Sequence, residues 1–261
     1  MLYFPQLSTG STAQFPCLKR IRERTVATEA EDGSVVKLFD PGGSAVEWEL
    51  ELDGLSGEEW AALEGLFQNA EGRAGSFVFL DPLGNLLSWS EELAATAWEK
   101  AGTVGLTGGV SDPLGGSSAT RATSSGAQGW IEQAIAAPGS YQYCLSVYAR
   151  SDTAPTVTLY ERAGAETANL RFALAPAWRR LEFPCKLAQA AETVTFGARL
   201  EAGATVDLFG FQVEAQTGAS AYKRTGARSG VYANACFAVD VLEMRSEGPG
   251  AYSCAVRIRA R

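Results

Sequence analysis

The sequence predicts an all-β protein with one α-helix, and three observations carry that prediction. Apolar and polar residues alternate in "AVEWELELDGL" (residues 45–55) and "AYSCAVRIRAR" (251–261), the period of a half-buried strand. Short β-rich runs separated by Gly, Ser, Asp and Pro fill the chain from Asn85 to about Thr225. Helical spacing of apolar residues is sustained once, in "SGEEWAALEGLFQNAEG" (56–72).

In 45–55, Val46, Trp48, Leu50 and Leu52 face one way and Glu47, Glu49, Glu51 and Asp53 the other. Such a strand has one buried face and one solvated face, and the acidic row reads as the solvated one. The helix, expected near 57–71, starts at a capping box in which Ser56 precedes Glu59 by three residues. Trp60, Leu63, Leu66 and Phe67 form its apolar stripe, and Gly72 supplies its C-terminal stop. "GSFVFLDP" (75–82) returns to strand and ends in an Asp-Pro turn. Six runs follow: "YQYCLSVYAR", "TVTLYER", "NLRFALA", "RRLEFPCKL", "TVTFGARLE" and "TVDLFGFQVEA". Their spacing is that of a β-sandwich of the jelly-roll kind. "GVYANACFAVDVLEM" (230–244) and "AYSCAVRIRAR" add two closing strands, the last with an Arg-rich outer face.

Charge and composition exclude several functions. The chain carries a net charge of −8, without the clustered Lys and Arg that phosphate neutralisation requires, so nucleic-acid binding is not expected. Residues 1–85 hold a net −8 and residues 223–261 a net +4, which favours these end segments lying together. No apolar run approaches the ~20 residues of a membrane span, and the N-terminus has no secretory pattern. The expectation is synthesis and folding in a cytoplasm. The five cysteines, with no CxxC spacing, read as small buried hydrophobes. There is no histidine, which removes the usual general base and the commonest transition-metal ligand. No nucleophile-elbow or phosphate-loop motif is present, and adjacent acids such as Glu91 and Glu92 read as exposed side chains. No enzymatic activity is expected.

Two resemblances organise these elements. "YFPQLSTGSTAQFP", the "RTV" of 24–26, "WELELDGLSGEEWAALEGLF" and "GRAGSFVFLDPLGNLL" together resemble the belt domain of distal tail proteins. Those proteins form the ring at the tip of long-tailed phages and related gene transfer particles. The strands of 231–259 look like the end of the same domain. Residues 85–225 resemble the carbohydrate-binding-module-like jelly rolls that recur in phage tail proteins. The matching cues are "NLLSWSEELAATAWEK", "SDPLGGSSATR", "IEQAIAAPGSYQYCLSVYAR" and "LFGFQVEAQTGASAYKRT", in that order. The resemblances imply a split β-sandwich belt domain (1–85 and 223–261) carrying an inserted jelly roll (86–222).

They further imply a virion structural protein at a tail tip, made in a host bacterial cytoplasm. It would be a homo-oligomer of six copies, joined to tail-tube and hub or fibre proteins. The alternative is a stand-alone carbohydrate-binding or adhesin protein. Glycan binding needs flat aromatic faces and fixed polar groups, and Trp130, Tyr160, Arg162 and Trp178 are the candidates. Asp207 is the candidate for a structural calcium site of the kind some such modules carry. No other cofactor is expected.

Overall fold

A computed structural model describes residues 1–153 and 156–260. In chain order the elements begin with β1 (Cys17–Glu29), β2 (Val35–Leu55), α1 (Gly57–Asn69) and β3 (Phe77–Leu80). Next come β4 (Glu99–Lys100), β5 (Val104–Val110), β6 (Ala119–Ser124), β7 (Gly129–Ile135) and β8 (Gln142–Arg150). They continue with β9 (Thr156–Ala163), β10 (Glu166–Ala173), β11 (Arg179–Lys186), β12 (Val194–Leu200) and β13 (Thr205–Glu214). The chain closes with β14 (Val231–Phe237), β15 (Arg245–Gly248) and β16 (Ala251–Ala260). Among the described residues the protein is nearly all β with one helix, as the alternating and helical periods require. The residues gather into two compact units. Unit 1 holds Met1–Pro5, Ala13–Phe79 and Tyr232–Arg261, and unit 2 holds Gln6–Thr12 and Leu80–Val231.

Unit 1 is built on a sheet of order β1-β2-β16-β14-β3, with β15 paired to β16. Trp48, Leu50 and Leu52 of β2 are fully buried, and Phe79 and Tyr232 meet the Trp48 ring edge-on at 4.9 and 4.7 Å. Helix α1 starts at the expected capping box: Ser56 accepts from Glu59 N, and Glu59 accepts from Ser56 N. On the outer face β2 and β16 pair so that Glu49 lies opposite Arg257 and Glu47 opposite Arg259. The acidic row is thus matched by cations from the chain's far end, 3.5 and 3.6 Å away, and by Arg20 and Arg22 of β1. One expectation fails: β14 stops at Phe237, short of the strand read through residue 244. Asp240 turns aside to accept from the Arg73 backbone N–H, with the Arg73 guanidinium 3.2 Å away.

The long β1–β2 hairpin was not legible in the sequence. Strand β16 accompanies β2 only as far as Val46. Beyond the register shift at Arg22–Arg24, β1 and β2 continue together from Arg24–Asp40 to Glu29–Val35. This arm is exposed on both faces, including Val26, Val35, Val36, Leu38 and Phe39.

Unit 2 is a sandwich of two five-stranded sheets, β10-β9-β12-β7-β4 and β11-β8-β13-β6-β5. Tyr143 from the second sheet packs edge-on against Phe196 from the first, with ring centroids 5.3 Å apart. Asn85 is buried and fully used. Its amide donates to Phe211 O and Lys223 O, and its Oδ1 accepts from Leu87 N and Val213 N. Gln6 exchanges two hydrogen bonds with the Gln142 backbone, so the segment before β1 completes this sandwich. Gly10 fits there with φ +80, and a Cβ would crowd Gln142 at 3.0 Å and Thr217 at 3.1 Å.

Candidate functional site

The outer face of the β10-β9-β12-β7-β4 sheet brings together three of the four residues nominated for glycan contact. Strand pleating decides this. Phe196 points inward, so its cross-strand partners Gln133 and Glu161 do too. The alternate residues therefore point outward. Register sets one outward row as Glu132, Gly197, Tyr160 and Asn169, and the next as Trp130, Arg199, Thr158 and Arg171. Arg162 stands in the row beyond, opposite Thr195.

At the centre Gly197 makes room for a ring. A Cβ there would lie 2.7 Å from Tyr160 Cζ and its hydroxyl. Tyr160 settles over this gap, donates its hydroxyl proton to Glu132 Oε2, and is only 1% exposed. Burial and then Glu132 push its pKa up, so it remains a donor. The other Glu132 oxygen accepts from Arg162 at 2.7 Å. Above the ring lies the Arg199 guanidinium, 4.5 Å from its centroid. Tyr160 is thus a covered support, while Trp130, half-buried beside Arg199, is the aromatic left at the surface.

Trp178 is elsewhere. It precedes β11 on the opposite sheet, and the Arg150 guanidinium lies 4.7 Å from its ring. Arg150 in turn donates to Asp207, which also takes a two-pronged contact from Arg121 at 2.7 and 3.0 Å. Asp207 lies inside β13. Burial pushes its pKa up, but the hydrogen bonds from Arg121 and Arg150 win and hold it below the usual carboxylate range. A carboxylate flanked by two guanidiniums does not fit a calcium ion, which would have to displace both. Among the described residues no group of three or more acids or cysteines is arranged to hold a metal.

Inside the same sandwich Glu161 is buried at 1% exposed. The Cys185 thiol donates to its carboxyl, and Oε1 has no partner among the described residues. Burial raises its pKa to about 8, and the Cys185 thiol goes up to about 12 for the same reason. A thiol shifted that way is the opposite of an activated nucleophile.

Sequence reasoning missed Arg199, Glu132 and Gly197. The alternation of "TVTFGARL" puts Gly197 and Arg199 on one face of β12, but only the pairing with β7 and β9 shows who stands beside them.

No protein-family model and no curated protein sequence matches the chain. Among solved structures it is similar to an enzymatically active domain of tailspike protein 4 from bacteriophage CBA120, at 14% identity and a TM-score of 0.42. That match covers 52% of this chain and only 22% of the tailspike chain. It is also similar to a xylan-binding domain of Xyn10C from Paenibacillus barcinonensis, at 18% identity and a TM-score of 0.41. Here 52% of this chain and 96% of that one are covered. A family 11 carbohydrate-binding module from Clostridium thermocellum matches at 11% identity and a TM-score of 0.37, over 51% and 96% of the two chains. Among the described residues no helix is long and apolar enough to cross a membrane.

Proposed function

We propose that this protein is a non-enzymatic structural subunit of a phage-type tail tip whose unit 2 is a carbohydrate-binding β-sandwich. The observation that carries the glycan reading is the outer sheet face. There a surface tryptophan and a stacked guanidinium stand side by side on a support of interlocked polar groups. Pyranose rings bind through their C–H faces to aromatic surfaces and through hydroxyls to fixed donors and acceptors, and both are supplied here. A glycan array probed with the full chain tests this, with Trp130→Ala expected to abolish any signal. Retention of binding by that variant would remove the outer face as the site.

The β1–β2 arm favours the ring role as well. An isolated two-stranded hairpin is marginally stable in water, and this one exposes Leu38 and Phe39 at 61% each. Burial against neighbouring copies would stabilise it, and repetition of one such heterologous contact closes a ring. On this reading unit 1 is the split belt domain, residues 86–222 are its insert, and the tail-tube and hub proteins are its partners. Light scattering should give a multiple of the 27.6 kDa subunit, with six copies expected. Leu38→Glu together with Phe39→Glu should return it to monomer. Monomer alone at every concentration, with and without the tail-tube protein, refutes assembly.

A further inference from the structure

The geometry points to a carboxylate-bearing sugar, a uronate or sialate unit, as the ligand of the outer sheet face, with Arg199 as the residue that selects it. This rests on the glycan-binding reading and adds the ligand's chemical class.

Three arginines stand on that face, and two are already committed. Arg162 is held by Glu132 at 2.7 Å, and Arg171 is paired with Glu201. Arg199 has no ion pair among the described residues; its contact is the Tyr160 ring beneath it. Both oxygens of Glu132, the acid beside Gly197 in the adjoining row, are taken by Tyr160 and Arg162. Among the described residues no hydrogen bond or ion pair joins that carboxylate to Arg199.

Contact with the buried tyrosine ring holds the guanidinium at this face while its N–H groups remain for a ligand, and a guanidinium fork matches a carboxylate two-to-two. Trp130, its direct cross-strand neighbour, gives the sugar ring a surface to lie on. A neutral hexose would satisfy the tryptophan and leave a half-buried cation without a counter-charge. A carboxylated sugar satisfies both.

The test is calorimetric titration of the full chain with matched pairs: oligogalacturonate against its methyl ester, and sialyllactose against lactose. A sulfated chondroitin oligosaccharide is the third arm. The acidic member of at least one pair should bind about ten- to a hundredfold more tightly than its neutral partner, the range of one charge-assisted bidentate contact. Arg199→Gln should erase that difference, and Arg199→Lys should keep only part of it, because charge remains and the fork does not. Should Arg199→Gln unfold, the salt dependence of wild-type affinity decides, since an ionic contact weakens as salt rises. Equal binding of acidic and neutral members, salt-insensitive binding, or a preference for the sulfated arm overturns the inference and leaves glycan binding standing. Binding to none of the probes or to any glycan on the array overturns both.

Discussion

Glu161→Gln should flatten the pH dependence of stability of unit 2. Native Glu161 keeps its proton up to about pH 8, because burial disfavours the charged form, while the unfolded chain releases it near 4.5. Between those values the folded state binds more protons than the unfolded one, so stability falls as pH rises across the window. Each tenfold difference in proton affinity between the two states is worth about 1.4 kcal/mol, which sets a ceiling of roughly 3–4 kcal/mol lost between pH 5 and pH 8. With polar groups relaxing around the charged carboxylate, the expected loss is roughly 2–3 kcal/mol. A glutamine has no proton to lose. Its amide can cost stability at both pH values, but the difference between them should vanish. Thermal denaturation followed by tryptophan fluorescence at pH 5 and pH 8 measures this directly. Between the two pH values the wild-type melting temperature should fall by roughly 6–9 °C more than that of the variant. The pH stays at or below 8 because unfolded thiols titrate above it, whereas native Cys185 does not. Parallel wild-type and variant curves would show that Glu161 is ionised in the native protein, and the reasoning from its burial would fail.

Single contacts carry the other predictions. Asp207→Asn should cost about 1–3 kcal/mol, because it strands Arg150 and Arg121 beside a buried amide; Arg121 is about half exposed, which keeps the figure below that of a fully buried pair. The stability that Asp207 contributes is present above the ordinary carboxylate pKa and lost as pH falls below it, so wild type and variant should converge in acid. Ser56→Ala removes the side-chain acceptor of the α1 capping box and should cost about 1 kcal/mol, read as a lower melting temperature of unit 1. Gln6→Ala loses both bonds to Gln142 and should destabilise unit 2 by about 1–2 kcal/mol, although residue 6 lies far away in sequence. An isolated 80–231 fragment should melt below the same sandwich in the full chain; equal melting would show that the 6–12 segment adds nothing.

Much of the fold was readable because one side-chain period suffices to mark a half-buried strand. The strands β8 to β13 fall on runs with β-rich composition bounded by turn residues, and α1 falls where the period changes to helical behind a capping box. The opposite net charges of the two end segments favour their lying together, as β2 and β16 do, and net charge can be read segment by segment.

What stayed hidden depends on partners far away in the chain. The outer half of the β1–β2 arm has no buried face, so it leaves no alternation to detect. Tyr160 and Trp178 look alike in sequence, as aromatics near arginines. Cross-strand register alone puts one under Arg199 and the other beside Arg150 on the opposite sheet. Asp207 offers a carboxylate that a cation could use; only the arrival of Arg121 and Arg150 from two other strands closes it to a metal. Alternation, the start of the helix and the lack of histidine chemistry are local properties, legible residue by residue along the chain. Which outward side chains share a face is not local, because neighbours across a sheet are set by pairing between strands and not by distance along the chain.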